Sequence, residues 1–388
     1  MKYRRHLYLC CCFLLSAPSN CLAGSVGQFE TSVALLLREQ DRTAAGKEDA
    51  TALQKSMLDS ISRNHSGMER VEPTSTNLRS MTEYVLSGGN PELAGDFLKP
   101  GGLPAERTRI LAASAHFMRG ERDAAAKLLG GVDPLRLSPG LVGRIALIQA
   151  MLLDDGDSRK LELLDIAVAA MPGTLVEESA LRRFVSAAAA TVSGTPRFWS
   201  RAARHLRRFS ESPYGAEFVS SLIDGIIGFE RREPKANWRK IELLLDELPA
   251  NRRRAAYLLL ARRSFAAGSA DLSGFAARRA GRLSLEGSEE KSSSILFVNL
   301  YGIAGDTVDE SVKQLEALGL TLLRRRDRLL LAAARSIALQ IRSPMMEVAK
   351  DPGSTSEVGR EPPELTAVEA TAVAAVEAAS RLLKDSVN

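Results

Sequence analysis

The stretch "RFWSRAARHLRRFSESPYG", Arg197–Gly215, holds five arginines, a tryptophan, two phenylalanines, a tyrosine and a histidine. Arginines beside aromatics describe either a nucleic-acid surface or one helix with a wet side and a dry side. The spacing separates the two. Phe198, Ala202, Leu206 and Phe209 fall at intervals of 4, 4 and 3, a helical period that puts them on one stripe. Arg197, Arg201, Arg204 and Arg208 fall at intervals of 4, 3 and 4, a quarter to a third of a turn away. The rings therefore face a core and the cations face elsewhere. Nucleic-acid binding needs phosphate-neutralising charge and stacking platforms on a shared face, so none is expected. His205 falls on the apolar side, at the edge of the core. Ser212 reads as a cap and Pro213 as the first-turn proline of a following helix that buries Val219, Leu222, Ile223, Ile226 and Ile227. On this reading Phe198→Ala costs about 3–5 kcal/mol. Arg204→Glu, on the solvated side, changes stability by no more than about half a kcal/mol.

The same hairpin pattern recurs outward from this segment. Pro104, Pro139, Pro172, Pro213 and Pro249 are separated by 35, 33, 41 and 36 residues, and each stands before an apolar-periodic run. Every interval is split by a breaker: "RGERD" (119–123), "DDGD" (154–157), "SGTP" (193–196), "RREPK" (231–235) and "GSAD" (268–271). Helix, tight turn, helix, proline is the beat of an all-α array of antiparallel helical hairpins, a tetratricopeptide-like α-solenoid. The repeats are degenerate, since the usual Trp, Leu-Gly and Tyr landmarks are not present in order. Composition agrees: Ala, Leu, Arg and Glu dominate, and aromatic residues make up 5% of the chain.

Five segments follow. Residues 1–23 carry Lys2, Arg4 and Arg5, an apolar run from Leu7 to Leu15, and "CLA" before Gly24, the layout of a signal peptide cleaved after Ala23. A membrane tether and a lipoprotein through Cys21 are the alternatives, but the apolar run is too short for an anchor and Pro18 and Asn20 suit a lipoprotein poorly. Residues 24–75 are polar, with short helices at Phe29, Val33, Leu36 and Leu37 and at Leu53, Met57 and Ile61. Residues 76–343 form the repeat body, ending in a longer helix from about Thr321 to Arg342. Residues 344–363 read as a flexible linker, and 364–388 as an amphipathic helix striped by Leu365, Val368, Ala372, Val376, Ala379 and Leu383. That last helix suits a cap on the array and a docking element for a partner equally.

All four cysteines, Cys10, Cys11, Cys12 and Cys21, lie in the leader, so the exported chain is expected to have no disulfide, thiolate ligand or cysteine nucleophile. Loss of residues 1–23 takes the net charge from +5 to +2. No integral membrane segment is expected after cleavage.

Catalysis is not expected either. His65, His116 and His205 stand apart, and no HExxH pair, GxSxG elbow or glycine-rich phosphate loop occurs. Asp154, Asp155 and Asp157 lack the glycine and closing glutamate of a calcium loop and read as a turn. Glu177 and Glu178, the nearest candidate for a wall-cleaving acid, sit in a first helical turn, where carboxylates oppose the helix dipole. No metal, cofactor or catalytic residue is assigned. The candidate partner-binding residues are Arg197, Arg201, Arg204 and Arg208. Further clusters at Arg252–Arg254, Arg262 with Arg263, Arg278, Arg279 and Arg282, and Arg324–Arg326 with Arg328 read two ways. They are a solvated outer face whose aliphatic stems cover apolar neighbours, or a docking strip for an acidic envelope partner.

With "MPGTLVEESALRR" (171–183) and "RFWSRAARHLRRFSESPYGAEF" (197–218) in view, the chain resembles the rhizobial-type periplasmic motility proteins of the MotC family, most clearly over residues 130–300. The resemblance implies a non-enzymatic accessory of the flagellar motor, working in the periplasm with the periplasmic part of the stator protein MotB to support torque and rotation control. It carries over no site residue. Two other functions stay open on the residues alone: a general periplasmic scaffold for envelope or secretion assembly, and a cell-wall enzyme.

Overall fold

The computed structural model describes residues 26–47, 49–64, 74–99, 104–191, 195–303 and 307–342. The signal peptide expected at 1–23, the linker at 344–363, the C-terminal helix at 364–388 and His65 lie outside them. The described residues contain seventeen α-helices and no strand, as an all-α array of helical hairpins requires. No described helix is long and apolar enough to cross a membrane.

The chain divides into two units. One holds the residues up to Gln40 with Asp49–Leu141, the other Asp41–Glu48 with the residues from Val142 on. In the first unit, α1 (Val26–Ala44, its last turn from Asp41 on belonging to the other unit), α2 (Ala50–Asn64), α3 (Ser75–Leu86), α4 (Glu92–Leu98) and α5 (Ala105–Met118) share one core. Phe29, Val33, Leu36, Ile61, Met81, Tyr84, Phe97 and Leu111 form it, with the Phe29 and Tyr84 rings edge to face at 6.2 Å. α6 (Arg122–Leu129) closes against α5, and α7 (Pro139–Leu152) begins in this unit and ends in the other.

The second unit continues with α8 (Ser158–Ala170), α9 (Leu175–Ala190), α10 (Thr195–Phe209), α11 (Gly215–Arg232), α12 (Trp238–Leu245), α13 (Ala250–Ala266), α14 (Ala270–Arg282), α15 (Glu289–Ile303), α16 (Val308–Ala317) and α17 (Arg325–Arg342). Neighbours pack closely at α8–α9, α9–α10, α13–α14, α14–α15, α15–α16 and α16–α17, and alternate helices pack as well: α9 on α11, α11 on α13, α13 on α15, and α10 on α12. That is the two-layer stacking of a helical-repeat array, in which each hairpin buries its apolar stripe against the next.

The breakers at 119–123, 154–157 and 268–271 fall where the pattern puts them. Gly120 and Gly268 take left-handed backbone at φ +80° and +76°, closing the α5–α6 and α13–α14 turns. In each turn the glycine N–H and the following N–H bond back to helical carbonyls, a Schellman closure that an L side chain would strain. Asp157 accepts from Arg159 N at 2.8 Å as the cap of α8, and Asp155 pairs with Lys160 at 2.6 Å, so the aspartates make a turn.

Two boundaries differ from expectation. α11 begins at Gly215, with Pro213 in the preceding turn and Ser212 Oγ accepting from Tyr214 N at 3.2 Å. The turn takes five residues, 210–214, because α10 runs on to Phe209, whose ring is itself part of the core. α17 starts at Arg325 because residues 320–322 wind as a 3₁₀ turn ahead of it.

Candidate partner-binding site

Phe198, Ala202, Leu206 and Phe209 are all at most 2% exposed, and Leu222, Ile223, Ile226 and Ile227 of α11 are buried with them, Val219 only in part. Phe198 meets the Trp199 and Phe229 rings edge-on at 5.2 and 4.7 Å. It fits because Gly225 of α11 has no side chain: a Cβ there would lie 2.8 Å from the Phe198 ring and 3.0 Å from Ala189. This close packing fixes the rotation of α10 and with it the direction of the arginines.

The arginines do not stand free in solvent. Arg197 donates to Asp165 Oδ2 at 2.6 Å and Arg201 to Oδ1 of the same carboxylate at 2.7 Å. Arg204 Nε donates to Glu177 Oε1 at 2.5 Å, and Arg208 reaches the same glutamate at 3.5 Å. Arg197 and Arg201 also lie over the Phe184 ring, at 5.5 and 5.9 Å. All four expected binding residues thus share one face with Asp165 of α8 and Glu177 of α9. Arg204 as a solvated bystander needs correction, since its partner carboxylate is completely buried.

Glu177 and Glu178 do more than oppose a dipole. Thr174 Oγ1 accepts from Glu177 N at 3.3 Å, and Glu177 Oε2 accepts from Gly173 N, a reciprocal cap at the head of α9. Asp41 Oδ1 accepts from Leu175 N at 3.0 Å in the same turn. Burial raises the Asp41 pKa, against the opposing pull of that bond and of Arg144. Glu178 accepts from Arg182 Nε at 3.3 Å and lies 3.1 Å from His205 Nε2. His205 is fully buried, deeper than a core-edge position, and stacks on Phe218 with ring centroids 3.6 Å apart. Burial lowers the pKa of its imidazole, with the Glu178 carboxylate pulling the other way.

Both glutamates are completely enclosed and committed to backbone, guanidinium and imidazole groups. Neither is placed to hand a proton to a saccharide. Among the described residues, no group of three His, Cys, Asp or Glu could hold a metal ion.

What the geometry offers is charge. Four guanidiniums share two carboxylates, which leaves two surplus positive charges and unspent N–H donors on this face. Arg197 and Arg208, with side chains 42% and 43% exposed, present those donors outward. An acidic protein surface is the complementary partner.

Members of each of the other arginine clusters are also engaged. Arg252 pairs with Glu211 at 2.7 Å, Arg254 with Glu290 at 3.4 Å, Arg263 with Asp224 at 2.8 Å, Arg279 with Glu242, and Arg324 with Glu289. Each partner lies one hairpin away, at the same interval as the prolines. Arg262 reaches farther, to Asp327 at 2.7 Å, where Ser293 Oγ also donates to a carboxylate that is 2% exposed as a residue. These pairs link hairpin to hairpin, a role that spacing alone does not show.

A family model described as chemotaxis protein MotC matches residues 33–387. The chain is 29% identical over 322 residues to the chemotaxis protein MotC of Rhizobium meliloti (strain 1021), covering 79% of this chain and 71% of that protein. No solved structure matches it.

Proposed function

The chain belongs to the MotC family of motility accessory proteins, and from that premise we propose that it works in the periplasm as a non-enzymatic accessory of the flagellar motor. There it associates with the periplasmic part of the stator protein MotB and supports torque and rotation control. The basic, apolar and small residues in order over 1–23 support export. A stacked helical-hairpin array suits the task, because it offers an extended rigid face without a chemical centre.

The observation that carries the binding reading is the surplus of two positive charges on the α10 face, where Arg197 and Arg208 remain reachable. In this reading Asp165 and Glu177 hold the four guanidiniums in place, so little side-chain entropy is lost when an acidic surface docks. The test is swimming in soft agar by a strain deleted for the gene. Reintroduction of the wild-type chain restores the swarm diameter, and the Arg197→Gln, Arg208→Gln double variant restores little of it. A deletion strain that swims as fast as its parent overturns the motor reading.

A further inference from the structure

The first unit holds a cavity of about 330 Å³ whose wall includes Arg79, Arg107 and Arg136. These three differ from the arginines of the second unit. Among the described residues, Arg79 and Arg136 come no closer than 3.9 Å to a carboxylate, and Arg107 makes no ion pair. Elsewhere the array brings arginines to within about 2.6–2.9 Å of their partners, as at Arg197, Arg252 and Arg263. Among the described residues that line it, Glu106 supplies the only carboxylate against three guanidiniums, so this lining carries a net positive charge.

Its lining has a second character. Leu78, Ile110 and Leu141 are buried apolar side chains that also line it. The wall therefore combines aliphatic surface with three underused guanidiniums. The first turns of α3 and α5 and the start of α7, at Thr76, Glu106 and Ser138, meet there and add positive backbone ends. A bare inorganic anion leaves the aliphatic part unused, and a purely apolar group leaves three cations unpaired.

We infer that this cavity is a docking site for an acidic–apolar peptide segment of a partner protein, one that sets glutamate or aspartate beside leucine-like side chains. The guanidiniums take the carboxylates in charge-assisted hydrogen bonds, and Leu78, Ile110 and Leu141 take the aliphatic neighbour. The site is built from residues of the first unit and uses none of α10, so it stands or falls independently of the stator reading.

The test is fluorescence anisotropy of the purified chain with a labelled synthetic peptide of alternating glutamate and leucine. Saturable binding is expected, weakened about tenfold or more by Arg107→Gln and further by adding Arg79→Gln, as loss of charge-assisted bonds requires. Both arginines are exposed, and circular dichroism melts of the variants superimpose on the wild type. Arg109→Gln, two residues along α5 and outside the cavity wall, leaves binding unchanged. The inference is overturned by absent binding, by equal binding of the glutamine–leucine peptide, or by equal weakening with Arg109→Gln. Displacement of the peptide by an equal concentration of inorganic phosphate also overturns it, in favour of a small-anion site.

Discussion

Arg204 of α10 donates its Nε–H to a Glu177 carboxylate that solvent does not reach, 2.5 Å away at the head of α9. The contact links a residue from the wet stripe of one helix to the capping turn of the helix before it. It converts a surface arginine into part of the scaffold. Removing one partner of a pair with a buried member strands the other charge, which costs more than the pair contributes.

Arg204→Glu is therefore expected to destabilise the second unit by about 3 kcal/mol or more, since it sets a like charge against Glu177. Urea unfolding followed by circular dichroism measures it. Arg204→Ala combined with Glu177→Gln is less damaging than the two single changes added together, as coupled partners require. A change within about half a kcal/mol would place Arg204 back in solvent.

Phe198→Ala removes a ring that touches Trp199 and Phe229 and fills the space left by Gly225. The expected loss is about 3–5 kcal/mol. Gly225→Val is expected to be costly as well, by about 1–3 kcal/mol, because its Cβ alone would overlap the Phe198 ring. Gly228, three residues along the same helix, has nothing within 4 Å of a built Cβ. Gly228→Ala is expected to raise stability by about 0.4–1 kcal/mol. Thermal melts showing both glycine changes with one sign would mean that α11 packs differently.

His205 makes stability depend on pH in a defined direction. Burial holds its imidazole below the ordinary 6.5, while Glu178 opposes that shift and Arg182 adds to it. The unfolded chain then takes up a proton that the folded chain refuses. Stability is complete above about pH 6.5 and falls as the solution is acidified below it. Melting temperatures measured from pH 7.5 to 5.5 are expected to drop for the wild type and to drop less for His205→Gln. Parallel curves for the two proteins would remove His205 as the source.

Much of this architecture was legible in residue spacing. The 4, 4, 3 interval of Phe198, Ala202, Leu206 and Phe209 named a buried stripe because a helix has one period and a core has one side. Pro104, Pro139 and Pro249 marked helix starts, and the breakers at 119–123 and 268–271 marked turns, for reasons local to the backbone. The fate of the arginines was not legible. Spacing says that Arg197 and Arg201 share a direction, but not that Asp165, 32 and 36 residues earlier, waits there. Only Thr174 and Glu177, at the spacing of a reciprocal helix cap, hinted that Glu177 was committed. The depth of His205 escaped for the same reason: it depends on Phe218, which arrives from the next helix.

Under the proposed function, the α10 face grips the periplasmic part of the stator protein MotB. Isothermal titration of the purified chain with the periplasmic fragment of MotB tests it most directly. Saturable binding is expected, weakened by Arg197→Gln with Arg208→Gln and by added salt, with circular dichroism showing that double variant still folded at the titration temperature. No detectable heat with a folded wild-type chain, or binding indifferent to both arginines and to salt, would contradict it.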